Sequence, residues 1–200
     1  MEPLLEDVPE RTVTERLILR CPRSSDAAVL NEAVRESIDQ LRLWLPWAQV
    51  EQTLPQSEAE CRRMQAKFLL RDDLPMFMFE RTADGTEGDF IGGTGLHRID
   101  WQVRRFEIGY WCRNSRVGRG FVTEAVRALT QFAFERLRAR RVEVRTDDSN
   151  QRSWQVAQRA EFALEGVLRS ESLTPQGEPR DARVYARVAP VESVDVSVED

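Results

Sequence analysis

From Phe121 the apolar positions Val122, Ala125, Val126, Leu129, Phe132, Ala133 and Leu137 recur three or four residues apart. That spacing predicts a long amphipathic helix whose other face carries Arg127 and Arg136. The stretch before it alternates instead: Phe106, Ile108 and Tyr110 fall on one face, Glu107, Gly109 and Trp111 on the other, the period of a strand. Between the two patterns, Gly118 and Gly120 allow backbone angles and close ligand approach that a side chain would block. A strand therefore runs through a glycine loop into a helix, and the rest of the chain is arranged around that unit.

Before it, 14–20 reads as the first strand, stopped by Pro22. Ser25 and Asp26 offer an N-cap to a helix through Ala27, Val29, Leu30 and Val34. A second helical piece carries Ile38, Leu41 and Leu43, and Leu45-Pro46-Trp47 ends it. Beyond Pro55, Ser57 to Glu60 resembles a capping box and leads a helix through Cys61, Met64, Phe68 and Leu69. Strands are expected at 76–80 and 90–96, joined by a turn at 83–88. Gly92, Gly93 and Gly95 weaken the second strand and mark a bulge or a close approach. After the long helix come a strand at 141–146, a helix capped by 147–151 and running through Trp154, Ala157 and Ala160, and strands at 162–168 and 182–188 joined across 175–181. Residues 1–11 read as an N-terminal arm, 12–188 as one domain and 189–200 as an acidic C-terminal tail. The order gives α+β structure mixed into α/β: a central, mostly antiparallel sheet of about seven strands with helices on both faces.

Composition narrows the function. Over 200 residues the net charge is −5 with a pI near 5.2, which argues against a general nucleic-acid binder, although arginines crowd between Arg104 and Arg145. Cys21, Cys61 and Cys112 are odd in number and widely spaced, so they read as reduced thiols rather than a disulfide or zinc framework. No metal-ligating cluster stands out. No apolar run is long enough for a membrane helix, and the acidic start lacks the zones of a signal peptide, so a cytoplasmic protein is expected.

The glycine loop carries the candidate chemistry. A helix N-terminus presents unpaired amides and partial positive charge, and Arg113, Arg116 and Arg119 add to it, so a phosphorylated ligand is expected. The P-loop is excluded because Phe121 and Val122 stand where Lys and Ser or Thr are required. The three-glycine dinucleotide fingerprint is incomplete, and no acidic residue is placed for a ribose. The stretch Glu107-Ile-Gly-Tyr-Trp-Cys-Arg-Asn-Ser-Arg-Val-Gly-Arg-Gly-Phe-Val-Thr-Glu-Ala125 resembles instead the acetyl-coenzyme A loop of the GNAT acetyltransferases, and most of all their RimJ/RimL-like branch. A second segment, Asp148 to Gly166, is similar to that family's Asn-x-x-Ser, helix, Phe, Glu-Gly run. The resemblance spans 15–188. Val117 and Val122 depart from the loop pattern, and Glu161 stands where glycine is usual.

The resemblance implies a sheet splayed at the cofactor site and transfer of an acetyl group from acetyl-coenzyme A to a primary amine, on a protein N-terminus such as a ribosomal protein's or on a small molecule. Trp111, Cys112, Arg113, Arg116, Val117, Gly118, Arg119, Gly120, Phe121, Val122 and Asn150 would hold the cofactor. Glu107 is the candidate base, or else a strand-edge carboxylate paired with Arg104 or Arg105. Ser153 is the candidate proton donor to the departing sulfur. Trp44 and Trp47 are either core anchors or an acceptor wall, and Tyr185 is either acceptor-site or core. His97, the only histidine, reads as a strand-end surface residue, and Cys112 as structural. No metal is implied, and a homodimer is left open. The alternative function is a non-catalytic acyl-coenzyme A binding or sensing module.

Overall fold

A computed structural model describes residues 2–174 and 177–189. Eight strands form one sheet: β1 (Arg11–Val13), β2 (Leu17–Arg20), β3 (Leu74–Arg81), β4 (Glu87–Asp100), β5 (Arg105–Cys112), β6 (Arg141–Asp147), β7 (Ala163–Leu173) and β8 (Pro179–Val188), in the order β1-β2-β3-β4-β5-β6-β8-β7. Four helices cover it: α1 (Ala27–Leu41), α2 (Leu54–Leu70), α3 (Phe121–Glu135) and α4 (Gln151–Arg159). The count exceeds the expected seven because the chain turns at Glu15 and Arg16. Residues 11–13, which the sequence leaves in or beside the arm, fold back on β2, with Thr12 opposite Leu19. The arm is itself packed: Val8 is buried, and Glu6 pairs with Arg104 at 2.7 Å. The tail from 190 and the hairpin residues 175 and 176 lie outside the described residues.

Two cores hold the sheet. On one face Ile18, Phe77, Phe79 and Phe90 pack against Leu30, Ala33, Val34, Ile38 and Leu41 of α1 and Cys61 of α2. On the other, Phe106, Ile108, Val142 and Val144 pack against Phe121, Ala125, Leu129 and Ala133 of α3 and Val156 and Ala157 of α4. Burying each large side chain contributes about 1.5–3 kcal/mol. Helix α1 runs unbroken to Leu41, so the two expected pieces are one helix. Asp26 does sit at its N-cap, but the carboxylate accepts from the Arg20 guanidinium at 2.7 Å rather than capping the helix. Helix α2 begins earlier than expected. Pro55 sits in its first turn, where no amide donor is needed, and the capping residue is Thr53, whose amide donates to Gln56 at 2.8 Å. Ser57, expected as the cap, is instead buried and accepts from Asn31 at 3.0 Å.

The feature that makes a site is a parting of strands. β5 and β6 are the parallel neighbours of the sheet, and they pair only from Arg105–Arg141 to Glu107–Glu143. β5 then runs on to Cys112 and β6 to Asp147 without pairing with each other, so a wedge opens between them. The loop after β5 and the start of α4 lie at its mouth.

Candidate active site

The loop closes its turn with two left-handed glycines. Gly118 and Gly120 both have φ of +82°, a conformation that strains any side-chain-bearing residue, and Gly120 is the N-cap of α3. A Cβ at Gly118 would meet nothing within 4 Å, and one at Gly120 only an Arg16 nitrogen at 3.5 Å, so both face open space. Such a cradle, heading a 15-residue helix with its first amides unpaired, fits a pyrophosphate. Glu124 anchors it. Its carboxylate accepts from Thr14 Oγ1 at 2.6 Å, from the Arg16 amide at 2.9 Å and from Arg16 Nε at 2.7 Å; these contacts outweigh burial and hold its pKa below the usual range.

The three loop arginines separate. Arg113 is paired with Glu32 and Glu36 of α1, and Arg116 with Asp89 and, at 3.4 Å, with Glu80. Arg113 thus fastens the loop to α1, and Arg116 fastens it to β3 and β4. Arg119 is exposed, and its carbonyl accepts from Arg16 at 3.0 Å. The valines that depart from the family pattern are accommodated: Val117 is 45% exposed, and Val122 packs against the core rather than into the cradle. Phe121 is buried beneath the Arg16 guanidinium, 5.0 Å from its ring centre. Glu161 adopts the left-handed conformation, φ 66°, and Phe162 N donates to Ala157 O at 3.0 Å, the closing bond of a Schellman cap. The strain glycine would avoid is therefore present.

Across the wedge, Asn150 caps α4 by accepting from the Ser153 amide at 3.2 Å. Ser153 Oγ donates to the Tyr110 hydroxyl at 3.2 Å, and that hydroxyl donates to the Ser153 carbonyl at 2.9 Å. Burial pushes the Tyr110 phenol up to about 12, so it stays protonated. Tyr110 shares a face with Ile108, and its alternation reads as core; nothing in the pattern signals the reach to Ser153. Cys112 is partly buried and its thiol is pushed up to about 11 by that burial, which leaves it unreactive.

Glu107 sits at the last position of β5 that pairs with β6. Its partners are Arg98 at 3.3 Å and Arg145 at 3.5 Å, not Arg104, which binds Glu6, nor Arg105, which faces Asp100 at 3.9 Å. Burial raises its pKa, against the pull of both arginines, and the neighbouring Glu143 adds to the rise. On the same face of β5, Gly109 follows, then Trp111, which lies over Gly93 and meets Trp47 with ring centres 6.0 Å apart and Phe90 at 5.9 Å. Trp47 is 46% exposed, so it is not a core anchor. His97 stands opposite Glu107 in the β4–β5 ladder, with Nδ1 at 2.9 Å from Asp73. Trp44 lies farther out, under the Arg180 guanidinium at 5.5 Å. Arg180 also bonds the Leu43 carbonyl and pairs with Asp147 at 2.8 Å, framing a cleft of about 560 Å³ between the α1–α2 connection and the last hairpin. Tyr185 is apart from this cleft: it is 1% exposed in the α3–α4 core, and its hydroxyl has no hydrogen-bond partner in good geometry among the described residues.

No group of three or more metal-ligating side chains occurs among the described residues, and none of their helices is long and apolar enough to cross a membrane. Residues 16–163 match the acetyltransferase (GNAT) domain family. The ribosomal-protein-serine acetyltransferase of Escherichia coli (strain K12) is 29% identical over 179 residues, 88% of this chain and 94% of its own length. YdaF of Bacillus subtilis (strain 168) is 35% identical over 100 residues, 50% of this chain and 54% of its own length, so that match spans about half of the relative. Among solved structures, the microcin C7 self-immunity acetyltransferase MccE, in complex with acetyl-coenzyme A and AMP, superposes with a TM-score of 0.81 at 21% identity, over 91% of this chain and 98% of its own. The ribosomal L7/L12 α-N-protein acetyltransferase RimL, in complex with coenzyme A, gives 0.78 at 22%, over 88% and 96%. The chain belongs to the GNAT acetyltransferase family, in its RimJ/RimL-like branch.

Proposed function

We propose that this N-acetyltransferase moves the acetyl group of acetyl-coenzyme A directly to the α-amino group at a protein N-terminus, within one ternary complex. The observation that carries the reading is the wedge between β5 and β6, with the glycine cradle at its mouth and Glu107 and Ser153 on its two sides. Bound acetyl-coenzyme A supplies the activated acyl carbon. The amides of the Gly118–Val122 turn hold its pyrophosphate, with Arg119 adding charge, and the end of β5 at Trp111 and Cys112, on the edge that β6 leaves free, receives the pantetheine arm beside Arg113 and Asn150. Glu107 accepts a proton from the amine, and Ser153, held beside Tyr110, turns its hydroxyl to the departing sulfur, donates its proton and takes another from solvent. The cytoplasm is the expected place of the reaction.

The acceptor follows from the walls. Trp47 and Trp111 offer aromatic surface, and the free edge of β5 offers backbone pairing, both suited to a short peptide. A polycation would need several free carboxylates, yet Asp39 pairs with Arg42 at 3.3 Å, Glu51 with Arg35 at 3.6 Å and Glu171 with Arg145 at 3.7 Å, and Asp181 accepts from the Ser170 amide at 2.9 Å, which leaves Glu178 without such a partner among the described residues. A screen of N-terminal peptides and small amines with acetyl-coenzyme A, read by thiol release, tests this. Turnover restricted to polyamines or aminoglycosides would overturn it.

A further inference from the structure

Making an amide from an ammonium group and a thioester removes two protons from one nitrogen. The first uncovers the lone pair that forms the C–N bond. The second leaves as that nitrogen becomes an amide and the C–S bond breaks. One proton ends on the released thiol and the other goes to solvent. Glu107 can serve one of these steps, but two arginines grip its carboxylate and its side chain is only 17% exposed. A second proton acceptor with a route to water is chemically useful here.

The face of the sheet that carries Glu107 holds such a group. Gly95 and Gly109 stand opposite each other in the β4–β5 ladder, one pair along from Leu96 and Ile108 and two from His97 and Glu107. The His97 ring leans over both glycines. A Cβ at Gly109 would stand 2.9 Å from its Cδ2 and 3.2 Å from its Nε2, and one at Gly95 would stand 3.1 Å from its Cε1. A side chain at Gly109 would push the ring away, whereas at Gly95 the backbone of β3 is nearer still, with Leu74 O at 2.6 Å and Pro75 Cα at 2.8 Å. Both Asp73 carboxylate oxygens lie against Nδ1, at 2.9 and 3.0 Å. A carboxylate can only accept from Nδ1–H, and in the neutral ring with that tautomer the lone pair is on Nε2. Nε2 has no hydrogen-bond partner among the described residues, and the side chain is 32% exposed. The charged groups around it are Asp73 from the α2–β3 turn and Glu107 from β5, the latter held by Arg98 of β4 and Arg145 of β6, with Glu143 behind Arg145.

We propose that His97, oriented by Asp73 and seated on Gly95 and Gly109, takes the first proton from the acceptor ammonium at Nε2 and releases it to solvent, leaving the second transfer to Glu107. This rests on the acetyl-transfer reading above. An imidazole held at one nitrogen can take and give up a proton at the other, which suits a group that must do both in every turnover.

The test is the pH dependence of kcat/KM for a peptide acceptor in wild type, His97→Gln, Asp73→Asn and Glu107→Gln, with acetyl-coenzyme A affinity measured alongside. The expected result is a loss of roughly a hundredfold in His97→Gln with its acid limb displaced, and a smaller loss with the same displacement in Asp73→Asn. Added imidazole should restore part of the rate of His97→Ala and none of that of Glu107→Gln. An unmoved acid limb in His97→Gln without imidazole rescue of His97→Ala, in variants that still bind acetyl-coenzyme A, would overturn the proposal and leave the transfer reading standing. A wild type that acetylates no amine would overturn both.

Discussion

The Tyr110 hydroxyl and Ser153 are doubly bonded across the wedge: Ser153 Oγ donates to the phenol oxygen at 3.2 Å, and the phenol donates to the Ser153 carbonyl at 2.9 Å. This pair joins the free half of β5 to the first turn of α4 and aims the serine that is proposed to protonate the thiol. Tyr110→Phe removes both bonds. It should cost about 1 kcal/mol of stability and lower kcat while leaving the KM for acetyl-coenzyme A nearly unchanged. Thermal melts and steady-state kinetics check this. A raised KM with unchanged kcat would assign Tyr110 to cofactor binding instead.

Glu107 gives a prediction with a definite sign. Its folded pKa is raised, so the ionised carboxylate is less favourable in the native state than in the unfolded one. The stability it contributes is fully present below the unfolded pKa and is lost as pH rises through the folded pKa. Glu107→Gln should therefore gain in Tm relative to wild type as the buffer goes from acid to neutral, while turnover falls by roughly tenfold to a thousandfold. Melting both proteins across that range decides it. A Tm difference that moves the other way would show that the arginine partners outweigh burial.

Much of this was legible in advance, and the misses have physical causes. The strand–loop–helix unit was written in two periodicities that meet at Gly118, and both glycines proved left-handed. What the pattern could not show was long-range pairing. Arg113 and Arg116 read as free cations because their partners, Glu32, Glu36, Glu80 and Asp89, lie far away in sequence. His97 read as a surface residue because Asp73 is brought to it only by the α2–β3 turn. The early capping box at Ser57 was a local imitation; Thr53 and Gln56 won because proline is at ease in a first turn. Strand β1 is too short to leave a period.

The buried ion pair at the start of α1 should dominate stability at that end. Arg20 and Asp26 are 4% and 5% exposed, meet through two bonds of 2.7 Å, and the guanidinium also reaches Glu87 at 2.8 Å and lies 4.4 Å over the Phe79 ring. Asp26→Ala leaves a buried guanidinium short of its main partner, so a loss of about 3–5 kcal/mol is expected. Denaturant titration measures it. A loss under about 1 kcal/mol would place the pair with ordinary surface bridges.

At the acceptor wall, Trp47→Ala should raise the KM of the peptide acceptor and leave that of acetyl-coenzyme A in place, because Trp47 touches Trp111 from the α1–α2 connection and not the loop. The peptide's KM should also be nearly insensitive to salt, as aromatic and backbone contacts are little screened. A steep salt dependence with Trp47→Ala neutral would point to a cationic acceptor.

The central claim is that the turn from Gly118 to Val122 is the seat of acetyl-coenzyme A. Calorimetric titration of acetyl-coenzyme A into wild type and Gly120→Val tests it most directly, with circular dichroism confirming that both are folded. Saturable binding by wild type, weakened at least about tenfold in the variant because a side chain at φ +82° both strains the cap and fills the cradle, is the predicted result. Equal affinity in the two folded proteins would contradict it.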